Sequence, residues 1–185
     1  MDGKIRVLGF AGSLRSGSYN KALLRASLDF LPEDMSLEIF EIDGIPPFNQ
    51  DIEKDMPEKV KEFKSKIRDS DAILIATPEY NYSIPGVLKN AIDWASRPYG
   101  DNPLDGKPVS IMSASIGMLG GARAQYHLRQ VFVFLNMYPI NKPEVMVTFA
   151  QDKFDVNGKL TDDNTKKFLR QLLQNLAEWT RKLKK

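Results

Sequence analysis

The sequence of 185 residues contains no cysteine, which excludes disulfides, thiolate metal ligands, a redox dithiol and a cysteine nucleophile. Any redox chemistry on this chain would need a borrowed cofactor. Histidine occurs once, as His127, with no second metal-type ligand at helical spacing. An isolated imidazole lacks the partners that acid–base work needs, so His127 reads as a surface or interface residue. An excess of one charge is missing too: Lys and Arg total 26 against 24 Asp and Glu, a formal net charge of +2. A general attraction to nucleic acid or another polyanion is therefore not expected. No apolar run approaches the roughly 20 residues of a membrane-spanning helix. The opening MDGKIRVLGFAGS has only a short apolar stretch that stops at a Gly-Ser loop, without a basic region and a small-residue cleavage pattern, so no leader is expected. A cytoplasmic protein without membrane association is the expectation. Repeats and low-complexity linkers are also lacking, and the length suits a single domain over residues 1–185.

What is present alternates between two periodicities. Ile5 to Ala11 is a nearly continuous apolar run ended by glycine, the habit of a central strand buried on both faces of a parallel sheet. Ala22, Leu23, Ala26, Phe30 and Leu31 recur at helical spacing up to Pro32. Ser36 to Ile42 reads as a more exposed, edge-like strand, followed by a loop over Asp43 to Met56 and a charged helix opening at Pro57 with Val60, Phe63 and Ile67 inward. Ala72 to Thr77 and Val109 to Ala114 are further buried strands, each followed by a loop and a helix, over Val87 to Ala95 and up to about Leu135. Glu144 to Phe149 reads as a last strand. Thr161, Asp162 and Asp163 open a terminal helix with the stripe Phe168, Leu169, Leu172, Leu173, Leu176 and Trp179. Five strands alternating with about five helices predict an α/β three-layer sandwich with a five-stranded parallel sheet. Such a sheet binds ligands beyond the carboxyl ends of its strands, so the loops after the first, third and fourth strands are where function should sit.

The first of these loops, Gly12-Ser13-Leu14-Arg15-Ser16-Gly17-Ser18-Tyr19-Asn20, sets hydroxyls, glycines and one guanidinium before a helix N-terminus, an anion cradle in which Arg15 balances a phosphate. Serine stands where the lysine of a Walker loop would reach terminal phosphates, and the G-x-G-x-x-G pyrophosphate pattern is absent, so a compact monophosphate fits best. The second loop, Thr77-Pro78-Glu79-Tyr80-Asn81-Tyr82-Ser83-Ile84-Pro85-Gly86, is stiffened by its prolines. It can hold main-chain groups against the edge of a flat heterocycle with Tyr80 or Tyr82 over ring surface; those rings suit a subunit contact equally well. In the third, Ser113, Ser115, Gly117, Gly120 and Gly121 permit close backbone approach, and the helix that follows can aim its positive end at an anionic ring.

Taken together, GSLRSGSYN, TPEYNYSIPGVLKNAIDWASRP, the GxxGGARAQYHLRQV stretch and FDVNGKLTD resemble the NADPH-dependent FMN reductase family, which includes bacterial chromate and quinone reductases. The similarity runs almost end to end, and PEYN leading into P-G-x-L-K-N-A-I-D-W is its most specific part. The resemblance implies a flavodoxin-like fold, non-covalent FMN, NADPH or NADH as donor, and a homodimer or homotetramer. It implies that Ser13, Arg15, Ser18, Tyr19 and Asn20 hold the phosphate and ribityl chain, that Pro78, Glu79, Tyr80, Asn81 and Ser83 line the isoalloxazine, and that Ser115 and Gly117 complete its pyrimidine side. The chemistry is then a ping-pong cycle in which the flavin carries hydride to a small acceptor and no side chain acts as a catalytic nucleophile. Quinones come first among acceptors, ahead of free flavin, azo compounds and chromate.

Two other functions stay open on the sequence. A flavodoxin-like electron shuttle or redox sensor would bind FMN and dock a partner, although near-neutral charge argues against an acidic docking face. A hydrolase or transferase using Ser13 or Ser18 would need a nearby base. Arg97 and Arg123, near the flavin loops, are candidates to attract the nicotinamide's phosphates but read first as structural. The FDVNGKLTD segment faintly suggests a calcium loop, yet Lys153 would fall at the first ligand position and Asn164 where the bidentate glutamate belongs. A turn is expected there.

Overall fold

The computed structural model describes residues 3–184 and consists of a parallel sheet between two helical layers. The strands are β1 (Ile5–Ala11), β2 (Met35–Phe40), β3 (Ala72–Ala76), β4 (Pro108–Ala114), β5 (Tyr138–Pro139) and β6 (Val145–Val147); the helices are α1 (Tyr19–Ala26), α2 (Glu58–Asp69), α3 (Gly86–Ala95), α4 (Ala122–Phe134) and α5 (Asp163–Leu183). Strand order is β2-β1-β3-β4-β5, with β6 also paired to β4, and every pairing is parallel. This is the flavodoxin-like topology, with β1 inside and β2 at an edge.

The sheet has six strands where five were expected. Pro108 and Val109 of β4 pair with Tyr138 and Pro139, and Met112 to Ala114 pair with Val145 to Val147, so two short pieces share one side of β4. Pro139 and Pro143 have no N–H to give a ladder, which explains why the chain leaves the sheet between them. Along this edge, side chains from both helical layers cover the outward carbonyls. Trp179 Nε1 donates to Tyr138 O (3.1 Å), Arg129 Nη2 to Ile140 O (3.1 Å), Asn175 Nδ2 to Lys142 O (2.8 Å) and Gln125 Nε2 to Val145 O (2.9 Å).

Strand alternation divides the core into two. Val7, Ala72, Leu74, Met112 and Ala114 face α1 and α5, whereas Leu8, Phe10, Ile73, Ile75, Val109 and Ile111 face α2, α3 and α4. In α5 the stripe is Leu169, Leu172, Leu173 and Leu176; Phe168, at the margin of that arc, is exposed rather than inward, and Trp179 is only partly covered.

The FDVNGKLTD segment is a turn in which Asp155 Oδ1 accepts from the N–H groups of Asn157 and Lys159, and Phe154 pairs with Leu160. It is tied to the start of α5: Asp162 accepts from Thr165 N (2.8 Å) and Thr165 Oγ1 (2.6 Å), and from Lys153 Nζ (2.9 Å). The Thr165 hydroxyl and then the Lys153 ammonium hold its carboxyl down to about 2 from the ordinary 3.8. A carboxyl lowered on folding stabilises fully above its unfolded value, and that contribution is lost as pH falls toward about 2. Asp162→Ala is therefore expected to cost about 1 kcal/mol at neutral pH, the usual worth of an N-cap. In urea melts the difference from wild type should shrink below about pH 3, where the carboxyl protonates.

Candidate functional site

The loop after β1 begins where Gly12 N donates to Ala76 O (2.8 Å). A Cβ on Gly12 would lie 3.1 Å from the Leu88 side chain, so a bare residue lets the loop lie against α3. Ser13 and Ser18 are buried. Ser13 Oγ accepts from Arg15 N (3.3 Å), and Ser18 caps α1 by accepting from Lys21 N (3.4 Å). Among the described residues, the N–H groups of Gly17, Tyr19 and Asn20 have no acceptor in the protein. Arg15 is exposed, its guanidinium lies beside Gly17, and no carboxylate of the described residues is in ion-pair range of it. Several free donors, two hydroxyls and one uncompensated cation on a helix N-terminus make the chemistry of a phosphate dianion site.

Tyr19 and Asn20 turn toward the scaffold. The Tyr19 ring meets Phe154 at 5.5 Å, joining α1 to the turn before α5. Asn20 is buried, and its amide fits the end of β4 on both sides: Nδ2 donates to Ala114 O and Ala114 N donates to Oδ1, each at 2.9 Å. The first loop is thus fixed against the third.

After β3, Thr77 is fully buried and its Oγ1 donates to Pro78 O (2.9 Å). Tyr80 and Ser83 then exchange both backbone hydrogen bonds, each 2.9 Å, around Asn81 and Tyr82, whose φ values are +50° and +66°. Two successive left-handed residues define a type I′ turn, costly for a tyrosine and typical of functional sites. Tyr80 and Tyr82 are exposed, and Tyr82 lies under the Arg123 guanidinium at 3.6 Å.

Glu79 departs from the expected arrangement. Its carboxylate accepts from the backbone N–H groups of Arg123 (3.0 Å) and Ala124 (3.4 Å) and from Arg123 Nε (2.5 Å). The first turn of α4 is therefore occupied by a charge from the chain itself. The expectation that this helix aims its positive end at an anionic ring is corrected, because Glu79 already neutralises that end. In the loop between, Gly117 N donates to Ser115 Oγ (3.1 Å), while Ala150 N donates to Ser115 O (3.0 Å) and Phe149 N to Gly117 O (3.4 Å). Phe149 adopts φ +48° and is half exposed.

His127 is exposed, as expected, but it also touches the site: Nδ1 is 3.0 Å from Ser83 Oγ. The signal was available, since His127 lies four residues beyond Arg123 and so on the same helix face. Arg123 belongs to the site through Glu79 and Tyr82. Arg97 does not: it follows the ten-residue α3, about 15 Å beyond that helix's start, and pairs with Glu53 at 3.1 Å. The left-handed backbone at Phe149 had no sequence signal, since phenylalanine is a poor choice for it. Two surface clefts, about 570 and 370 Å³, run between residues 139–144 and α5, away from these loops.

The donor set after β1, the rigid turn after β3 and the glycine-containing loop after β4 fit a group with a terminal phosphate and a flat ring, as FMN has. The profile of the family described as NADPH-dependent FMN reductase matches residues 5–152. An NAD(P)H-dependent FMN reductase of Pseudomonas aeruginosa is 53% identical over 185 residues, covering 100% of both chains. A quinone reductase of Escherichia coli is 42% identical over 188 aligned positions, again covering 100% of both. Among solved structures, the flavoenzyme NAD(P)H:(acceptor) oxidoreductase FerB of Paracoccus denitrificans superposes with a TM-score of 0.88 at 35% identity, over 96% of this chain and 98% of that one.

Proposed function

Because the chain belongs to the NADPH-dependent FMN reductase family, we propose that residues 1–185 form one domain that holds FMN across the loops after β1, β3 and β4 and works as an NAD(P)H-dependent oxidoreductase on quinones and other small acceptors. The observation that carries this reading is the first loop, with its unpaired donors and uncompensated Arg15. FMN held there would supply the hydride-transfer chemistry between NADPH or NADH and the acceptor.

The protein's own part is binding and orientation. Ser13, Ser18 and the free N–H groups hold the phosphate while Arg15 balances its charge. Pro78, Tyr80, Asn81 and Ser83 on one side, and Ser115 and Gly117 on the other, support the ring. The side chains of Tyr19, Asn20 and Glu79 act one step back, fixing those loops to one another through Phe154, Ala114 and the first turn of α4. Arg15→Ala is expected to weaken FMN binding about tenfold to a hundredfold, the worth of a charge-assisted hydrogen bond. A fluorescence titration measures this.

The reading itself is tested by the visible spectrum of the protein after FMN is added, followed anaerobically by NADPH and then benzoquinone. Bleaching and recovery are expected; failure to take up FMN would sink the proposal.

The same reading makes the protein a homodimer or homotetramer. On the outer face of α4, Val133 and Phe134 are 82% and 77% exposed, about two turns beyond His127, which touches Ser83. A second copy is the occupant we assign to that face. Light scattering should give two or four times the 20.9 kDa chain mass, and a monomer would count against it. No helix among the described residues is long and apolar enough to cross a membrane. The cytoplasm, where reduced nicotinamides are present, is the location we assign.

A further inference from the structure

The loop that carries Ser115 and Gly117 also carries the least polar part of this end of the molecule. Residues 108–122 include no charged side chain. Within them, Ile116 and Met118 flank Gly117 and are 66% and 73% exposed, and Leu119 is 46% exposed. Phe149, held in its left-handed conformation with its N–H on Gly117 O, adds a further half-exposed apolar side chain from the neighbouring loop. Apolar side chains scattered singly on a surface need no explanation, but several on contiguous loops at a ligand site do. The strain at Phe149 makes the same point: a bulky residue with positive φ persists where surrounding contacts over-determine it, and such residues gather at ligand sites.

We infer that Ile116, Met118, Leu119 and Phe149 form an apolar shelf beside the flavin site that takes the hydrocarbon substituent of the acceptor, so that the favoured substrates are uncharged quinones bearing alkyl chains. The inference rests on the FMN reading above and names the substrate class of that site. The shelf is continuous with the loop proposed to hold the pyrimidine side of the ring. It carries no charge for an oxyanion or a metal chelate to meet, and Arg123, at the start of the helix that follows, is already paired with Glu79. Methionine suits the role, because its unbranched thioether adapts to chains of differing length.

The test needs no turnover. FMN-loaded, oxidised protein is titrated calorimetrically with 1,4-benzoquinones carrying methyl, propyl and pentyl chains, with no nicotinamide present. Full burial of a methylene is worth about a fourfold change in affinity, so half-covered chains should tighten binding about twofold per carbon, or roughly fifteenfold from methyl to pentyl. In the double variant Ile116→Ser, Met118→Ser that gain should fall below about threefold, with the 13C-methyl signal of Met118 in the wild type moving on pentylquinone binding. Equal affinities across the series in the wild type, or an undiminished gain in the variant, would overturn the shelf. So would a concentration-dependent Met118 signal that marks these residues as buried by a second copy of the chain. Failure to load FMN would instead overturn the functional reading beneath it, which the loading step reports before any quinone is added.

Discussion

Asn20→Ala should lower the unfolding free energy by about 2–4 kcal/mol, because it strands a buried N–H and a buried C=O of Ala114. The wild-type amide meets both groups at 2.9 Å while itself only 3% exposed. For a chain of this length such a loss corresponds to a fall of roughly 5–15 °C in Tm. The effect should extend to FMN, since Asn20 begins the helix that bears the phosphate loop and Ala114 ends the strand that leads to Ser115. Asn20→Asp separates packing from hydrogen bonding. It keeps the shape and the acceptor for Ala114 N, but sets a carboxylate oxygen against Ala114 O; stability should recover as pH is lowered and the carboxyl becomes a donor. A thermal melt of Asn20→Ala within 2 °C of wild type, on the order of 1 kcal/mol or less, would show that the clasp carries little.

Gly120→Ala is expected to be at least as damaging, about 3 kcal/mol or more, by a different route. Its φ is +59°, and a Cβ there would stand 2.7 Å from the Met146 carbonyl carbon and 2.8 Å from its oxygen. Those atoms are backbone of β6 and cannot rotate aside as a side chain would. The next residue, Gly121, has φ +88° and would press a Cβ to 2.7 Å from that of Ser113. Gly86 provides the contrast: it sits at the first position of α3, and nothing lies within 4 Å of where a Cβ on it would stand. Gly86→Ala should therefore be neutral or stabilising by up to about 1 kcal/mol. Urea denaturation of the two variants side by side measures the difference, and equal midpoints would refute the steric argument.

Much of this was legible in the sequence because burial writes itself into composition. β1, β3 and β4 lie inside the sheet and are mostly apolar, Arg6, Ser110 and Ser113 being their polar residues, so DAILIATP and VSIMSA needed no structure to be found, and the loops beyond them followed from topology. β5 was missed because two residues, one of them Pro139, carry no period. The loops that carry the candidate residues were legible, but not the directions their side chains take. Glu79 looks like a ligand contact in its loop, and only the tertiary arrangement turns its carboxylate onto α4, some 44 positions later in the chain. Asn20 likewise reads as one more polar residue beside a phosphate, whereas its partner at Ala114 is 94 positions away. Arg97, read first as structural, pairs with Glu53, and the α3 helix runs between it and the second loop.

The four side chains over the β5–β6 edge bear on how the chain survives its own synthesis. An edge of open carbonyls is a template on which another polypeptide can add a strand, the first step toward aggregation. Here Gln125 and Arg129 emerge before the carbonyls they cover, but Asn175 and Trp179 come after, near the end of the chain. During synthesis and late folding the Tyr138 and Lys142 carbonyls therefore wait for α5. The C-terminal helix acts as a seal as well as a layer of the core, and shortening it would leave a sheet open to its neighbours.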